Sequence, residues 1–249
     1  VRAMTTHGAA CAVMGNHEFN ALAYATPNGN GGYLRPHTQG NQLTHQATLE
    51  AFAPYQQEWQ AFLDWFRGLP LFLEKEKIRI VHAGWIPGYV EFIRHRLPAN
   101  RLDYAFLEEA SQEGSYAYAV IAGLLKGIEI PYQKGFRDKD GKYRRRIRIR
   151  WWMPDGRHSY RGLSIHRQPG ISEEKVPHDW ELPLVGYPKD AKPVFVGHYW
   201  MKGTPQRLEK NIACLDYSVA KQGALTAYRW NGEQELKNAH FVQQQVLPR

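Results

Sequence analysis

Short apolar runs that stop abruptly at a polar residue recur along the chain. In "CAVMGNHEFN", Cys11 to Asn20, four apolar residues lead straight into Gly-Asn-His-Glu; "IRIVHAG" ends its run at His82, and "KPVFVGHYW" at His198. Runs of this length bounded by turn residues read as buried strands, and in open α/β sheets ligands sit in the crevice beyond the carboxyl ends of strands. Between these runs the spacing turns helical. "HEFNALAYA" predicts a helix ending before Pro27, and Thr44 is the expected cap of a short helix in "THQATLEAF". In "PYQQEWQAFLDWFRGLP", Trp59, Phe62, Leu63 and Phe66 share one helical face, and Gly68 and Pro70 stop it. "VRAMTTHGAA" closes a helix at Gly8, and three more helices are expected between Tyr89 and Lys126. Hairpins are expected around Glu74 to Lys77 and at the Asp-Gly pairs 140–141 and 155–156, with two further strands in "NIACLDYSVAKQGALTAYRWNG". Strands that alternate with helices define an α/β chain.

Composition narrows this picture. At 249 residues the chain is long enough to bury a full core as one domain spanning 1–249, and no apolar run approaches the roughly 18 residues of a membrane helix. The N-terminus lacks the charged start, apolar core and cleavage site of a signal peptide. Cys11 and Cys214 both lie in apolar runs and read as buried, reduced thiols, which fits a cytoplasmic protein. The net charge of +8 favours an anionic partner without separating nucleic acid from phosphorylated metabolites.

The candidate chemistry sits where the strands end. Asn16 with His17, then His82, then His198, offer a carbonyl oxygen and imidazole nitrogens, donors suited to borderline divalent ions. A second feature is the row Arg144, Arg146, Arg148 and Arg150, which alternates with Arg145, Ile147, Ile149 and Trp151. As a strand it would carry guanidinium groups on one face, either as a solvated surface or as an anion-contacting one. Trp151, Trp152 and Tyr160 nearby are core aromatics or, alternatively, a stacking platform for single-stranded nucleic acid.

"GNHE" at 15–18, "VHAG" at 81–84 and "GH" at 197–198, in that order, resemble the later motifs of the calcineurin-like metallophosphoesterases, in the branch that holds the phosphoprotein phosphatases and diadenosine tetraphosphatases. The closing segment from Asn211 is similar to the end of that branch. The resemblance covers residues 10–84 and 193–230. It implies an α/β sandwich of two facing mixed β-sheets flanked by helices, with 100–192 as an insertion or cap. It also implies two divalent metal ions in the full-length protein, manganese first, with iron or zinc as alternatives. Asn16, His82 and His198 match the positions that ligate the second ion, and His17 matches the general acid for the leaving-group oxygen, a role that suits imidazole. Glu18 matches no ligand and is assigned to the helix start. The implied reaction is attack on phosphorus by a metal-activated hydroxide, on a phosphorylated small molecule, nucleotide or phosphoprotein.

Departures from the family are equally informative. The Asp-x-His and Gly-Asp-x-x-Asp-Arg-Gly motifs, which supply the first metal's ligands and the bridging carboxylate, occur nowhere in the 249 residues, and the chain does not begin with Met. Truncation is the favoured explanation, with loss of catalysis as the alternative. Met14 stands where the protein phosphatases carry an Arg, and Tyr199 where they carry a Thr. Arg144, Arg146, Arg148 and Arg150 could replace the missing cation, because guanidinium pairs bidentately with phosphate oxygens. The competing class is a non-catalytic module that binds an anion or nucleic acid on a decayed phosphoesterase scaffold. Oligomeric state is not legible.

Overall fold

Alternate residues decide how the central sheet is buried. In β5 (Val194–Val196) and β7 (Ile212–Cys214), Val194, Val196, Ile212 and Cys214 face one way into the main core, while Phe195 and Ala213 face the other. These parallel strands lie between β2 (Arg79–Val81), parallel to β5, and an antiparallel edge strand, β6 (Arg207–Glu209); β1 (Phe72–Glu74) forms the far edge. The result is a five-stranded mixed sheet in the order β1-β2-β5-β7-β6. Its Phe195 face packs on a three-stranded antiparallel sheet of β8 (Asp216–Tyr217), β9 (Ala224–Tyr228) and β10 (Phe241–Gln245), where the Phe195 and Tyr228 rings lie 5.2 Å apart. The opposite face is covered by helices. This computed structural model, which describes residues 1–138, 141–154, 156, 158–177, 180 and 186–246, is therefore a mixed α/β fold of sandwich-like build.

The helical layer follows the expected periodicity. It comprises α1 (Arg2–Thr6), α2 (Asn16–Ala25), α3 (Gln39–Phe52), α4 (Gln56–Arg67), α5 (Pro87–Arg96), α6 (Tyr104–Ser111), α7 (Tyr116–Lys126) and the single turn α8 (Tyr160–Leu163). α7 is apolar around most of its surface and buries Val120, Ile121, Leu124 and Leu125, which places it inside the core rather than on it. Its end is stitched to the segment after His82: the Ala83 N–H donates to the Leu124 carbonyl at 2.9 Å, and a Cβ on Gly84 would lie 2.7 Å from the Gly123 carbonyl. Only glycine at 84 permits that approach. Beyond α7, β3 (Glu129–Arg137) and β4 (Tyr143–Arg148) form a two-stranded hairpin with Ile130 opposite Ile147 and Glu129 opposite Arg148. Among the described residues, no helix is long and apolar enough to cross a membrane.

Three local expectations need correction. Residues 11–15 are extended but form no strand: the run makes one backbone bond across to its neighbour, from the Met14 N–H to the Pro70 carbonyl at 2.8 Å, too few for a ladder. As a consequence Cys11 is exposed, whereas Cys214 is buried as expected. Helix α3 starts six residues earlier than Thr44 would allow, because Thr38 is the cap and its hydroxyl accepts the Asn41 N–H at 3.3 Å. The polar stretch after Thr38 hid this start. Of the two Asp-Gly pairs, Asp140 and Asp155 lie outside the described residues; the hairpin expected at the first is β3–β4.

Candidate functional site

The "GNHE" stretch is a tight junction between an extended segment and a helix. Gly15 caps α2 in extended conformation, and its N–H donates to Glu18 Oε2 at 3.0 Å, so Glu18 serves the helix start. A Cβ at position 15 would fall 2.5 Å from that carboxylate oxygen and 3.0 Å from Cε1 of His82. Glycine thus lets the His82 ring press against the backbone at the point where Asn16 begins the helix.

Asn16 and two of the three histidines expected at strand ends meet at one atom. Asn16 Oδ1 lies 2.9 Å from His82 Nε2 and 3.1 Å from His198 Nδ1, and the two rings stand 5.2 Å apart at 66°. His82 follows β2 and His198 follows β5, neighbouring parallel strands, so topology alone brings these residues to the same edge of the sheet. They line a cavity of about 570 Å³ together with His17, which is exposed at its mouth.

Both converging rings are held neutral. Burial pushes His82 down to about 4; the nearby His17 also lowers it, and Asp216 opposes the shift. Burial, followed by the charges of Arg148 and the surrounding histidines and Lys126, pushes His198 down to about 2. A neutral imidazole has one N–H and one lone pair. If both rings donate to Asn16 Oδ1, the other nitrogen of His198 is left as a buried acceptor, and Nε2 of His198 indeed has no hydrogen-bond partner. A cation among these three atoms would accept the lone pairs they can turn inward, and neutral His and amide donors fit a borderline divalent ion. The set contains no carboxylate. Consistently, no group of three His, Cys, Asp or Glu side chains placed to hold a metal occurs among the described residues.

The loop carrying His198 is strained and braced. His198, Trp200 and Ser218 all adopt positive φ, at 68°, 52° and 61°, a region that non-glycine residues rarely occupy and that clusters at functional sites. Asp216 holds two of them: its Oδ2 accepts the Trp200 N–H and its Oδ1 the Ser218 N–H, each at 3.0 Å. Its carbonyl accepts the Met201 N–H at 2.9 Å, and the Gly197 N–H reaches the His82 carbonyl at 2.9 Å. Tyr199, fully buried, donates to the Ala83 carbonyl at 2.7 Å and so ties the His198 loop to the His82 loop. Sequence reasoning gave Asp216 no part in the site. Its signal was an acidic residue directly after the apolar run "IACL".

The arginine row only partly follows the expectation. Arg144, Arg146 and Arg148 line a second cavity of about 610 Å³, and Arg145 joins them, whereas Arg150 lies past the end of β4, half-buried and away from that lining. Of the two readings of the nearby aromatics, core rather than stacking platform holds: Trp151, Trp152 and Tyr160 are all buried, and Trp151 donates to the Ala83 carbonyl at 3.1 Å. They are core residues.

Two imidazoles and an amide oxygen thus converge in a crevice that neighbours a cavity lined by arginines. Over 230 residues the chain is 27% identical to the symmetrical bis(5'-nucleosyl)-tetraphosphatase of Methylobacillus flagellatus, a match covering 89% of this chain and 72% of that protein. No family model matches. The likeness supports the calcineurin-like phosphoesterase superfamily and, at that level, a hydrolase.

Proposed function

We propose that this chain is a metal-dependent phosphoesterase that cleaves a phosphoanhydride of a nucleotide substrate, with Asn16, His82 and His198 holding one divalent ion. The observation that carries this reading is the convergence of Asn16 Oδ1 on His82 Nε2 and His198 Nδ1, both within 3.1 Å. The tetraphosphatase likeness supports the substrate class. When bound, a divalent ion supplies charge that stabilises a phosphoryl oxygen during displacement.

The chain's own residues do the rest. His17, at the mouth of the same cavity, gives a proton to the leaving-group oxygen. Asp216 and Tyr199 fix the His198 loop, and Glu18 fixes the helix start that presents Asn16 and His17. Within 100–192, the stretch expected as an insertion or cap, α7 belongs to the core, and the β3–β4 hairpin beside the site is the part that selects substrate. Three neutral donors do not balance a dication, so binding by this set alone is weak. Manganese is the first ion to test, then iron and zinc.

The test is hydrolysis of a dinucleoside tetraphosphate with and without added manganese, paired with equilibrium metal binding. Manganese-dependent cleavage that falls in His17→Ala while metal binding persists supports the reading. Loss of metal in His17→Ala would make it a ligand instead, and metal-independent anion binding without turnover would favour the second reading, an anion-binding module, which the cationic cavity beside the site also fits.

A further inference from the structure

An edge strand offers unpaired backbone N–H and C=O groups to any other strand, and proteins blunt that tendency with charge, shortness or a bulge. The sheet edges follow this rule with one exception among the described residues. β1 ends at Glu74, which pairs with Arg79, Arg94 and Lys192; β6 carries Arg207 and Glu209 and a register shift; β8 is two residues long and begins at Asp216. The β3–β4 hairpin carries Arg144, Arg145, Arg146 and Arg148 and a register shift of its own. β10 differs. Phe241, Val242, Gln243, Gln244 and Gln245 include no charge and no proline, and their register on β9 is unbroken. Among the described residues this strand pairs with β9 alone, so alternate residues turn their N–H and C=O groups outward without a partner.

The sequence of the edge selects the partner. Residues 242–246 read Val-Gln-Gln-Gln-Val, the same in both directions. Two copies laid antiparallel about a two-fold axis through Gln244 set Val242 opposite Val246 of the second copy, Gln243 opposite its Gln245, and Gln244 opposite its Gln244. Every rung then joins like with like, valine to valine and amide to amide, and an amide both donates and accepts. On the solvent side, Val242 is 38% and Val246 45% exposed, and Leu225, directly across from Gln244 on β9, is 61% exposed. Pairing would cover this apolar stripe in both copies. Charge favours the same contact: at a net charge of +8, two chains repel over much of their surface, and an uncharged strand is where they meet with least repulsion. We infer that β10 is a dimerisation edge, where a second copy of this chain adds its own β10 antiparallel about Gln244 and joins the two three-stranded sheets into one. β10 lies at the opposite edge of its sheet from β8, which carries Asp216, so the contact is separate from the candidate metal site and does not depend on the phosphoesterase reading.

The test is sedimentation equilibrium of the full chain over a range of concentrations, for the wild type, Gln244→Lys, Gln244→Glu and an equal mixture of the two variants. The wild type is expected to approach twice the mass of one chain as concentration rises. Each variant alone sets like charges against each other across the axis and is expected to weaken association by at least about tenfold. The mixture sets a lysine opposite a glutamate and is expected to regain it. Two misfolded proteins do not rescue each other, so recovery in the mixture separates the contact from a fold defect. A wild type that sediments as a single chain at every concentration overturns the inference and leaves the edge to a strand of another protein. Undiminished association in both variants overturns it as well and moves the interface elsewhere. So does a mixture that fails to recover, which removes Gln244 from the axis.

Discussion

Trp200 divides two cavities of similar size, about 570 and 610 Å³, that treat charge in opposite ways. In the first, burial keeps His82 and His198 neutral and positions lone pairs, so the space suits a cation. In the second, arginines from the β3–β4 hairpin and Lys221 from the β8–β9 turn line the space together with Glu129 and Asp138, so among the described residues its lining is mainly cationic. The contrast comes from the type of backbone. The neutral donors arrive from separate elements, His82 and His198 on loops after β2 and β5 and Asn16 at the start of α2, whereas the arginines arrive side by side along a single strand. A site assembled from separate elements needs every brace; one built along a strand tolerates single losses.

This difference predicts a ranking of effects. The largest should follow loss of a donor. His82→Ala is expected to cut divalent-ion affinity by more than the roughly 100-fold upper limit that changes behind a ligand produce, as read by equilibrium titration. An equal affinity in the variant would remove His82 from the set.

Next is the pH response of the metal-free protein. Both rings titrate lower when folded than the ordinary imidazole value of about 6.5, so between that value and the folded ones the unfolded chain binds more protons. Stability is therefore complete above pH 6.5 and is lost as pH falls towards about 4 for His82 and about 2 for His198. At pH 5 each histidine should cost about 2 kcal/mol relative to pH 8, measurable by urea unfolding. His198→Asn, which suits a positive φ, should remove one such step. A pH slope identical to the wild type would show that His198 is not held neutral.

Asp216→Asn probes the brace rather than a donor. With one of its two acceptor oxygens lost, metal affinity should fall by about tenfold without disappearing, and the loss should be larger than for a surface carboxylate such as Glu91. The smallest effect is at the helix start. Glu18→Ala removes the acceptor for the Gly15 N–H and should lower stability by about 1 kcal/mol, seen as a modest drop in melting temperature with anion binding in the arginine cavity unchanged.

Much of this arrangement was legible from the order of residues. Apolar runs ending at His82 and His198 marked the ends of β2 and β5, and the helical periods of α2, α4 and α5 to α7 were plain because one face of each meets a core. What escaped was set by long-range geometry. The run from Cys11 reads as a strand, but a strand needs a partner, and its backbone meets only one bond at Pro70 among those described. Thr38 was obscured because the first turn of α3 is polar and exposed, leaving periodicity nothing to detect. Asp216 could not be recognised as a brace because its partners, the Trp200 and Ser218 amides, become neighbours only once β5, β7 and β8 are assembled. Arg150 was grouped with its row by alternation, and the end of β4 at Arg148 separates it from the rest.

The most direct measurement is a cobalt(II) titration of the wild type, Asn16→Ala and His198→Ala proteins, followed by visible absorption and calorimetry. The account predicts one ion per chain in the wild type, with absorption bands altered by imidazole ligation, and loss of that binding in both variants. The same stoichiometry, affinity and spectrum in all three proteins would contradict it, and Asn16, His82 and His198 would then be a hydrogen-bonded cluster that holds two loops together and nothing more.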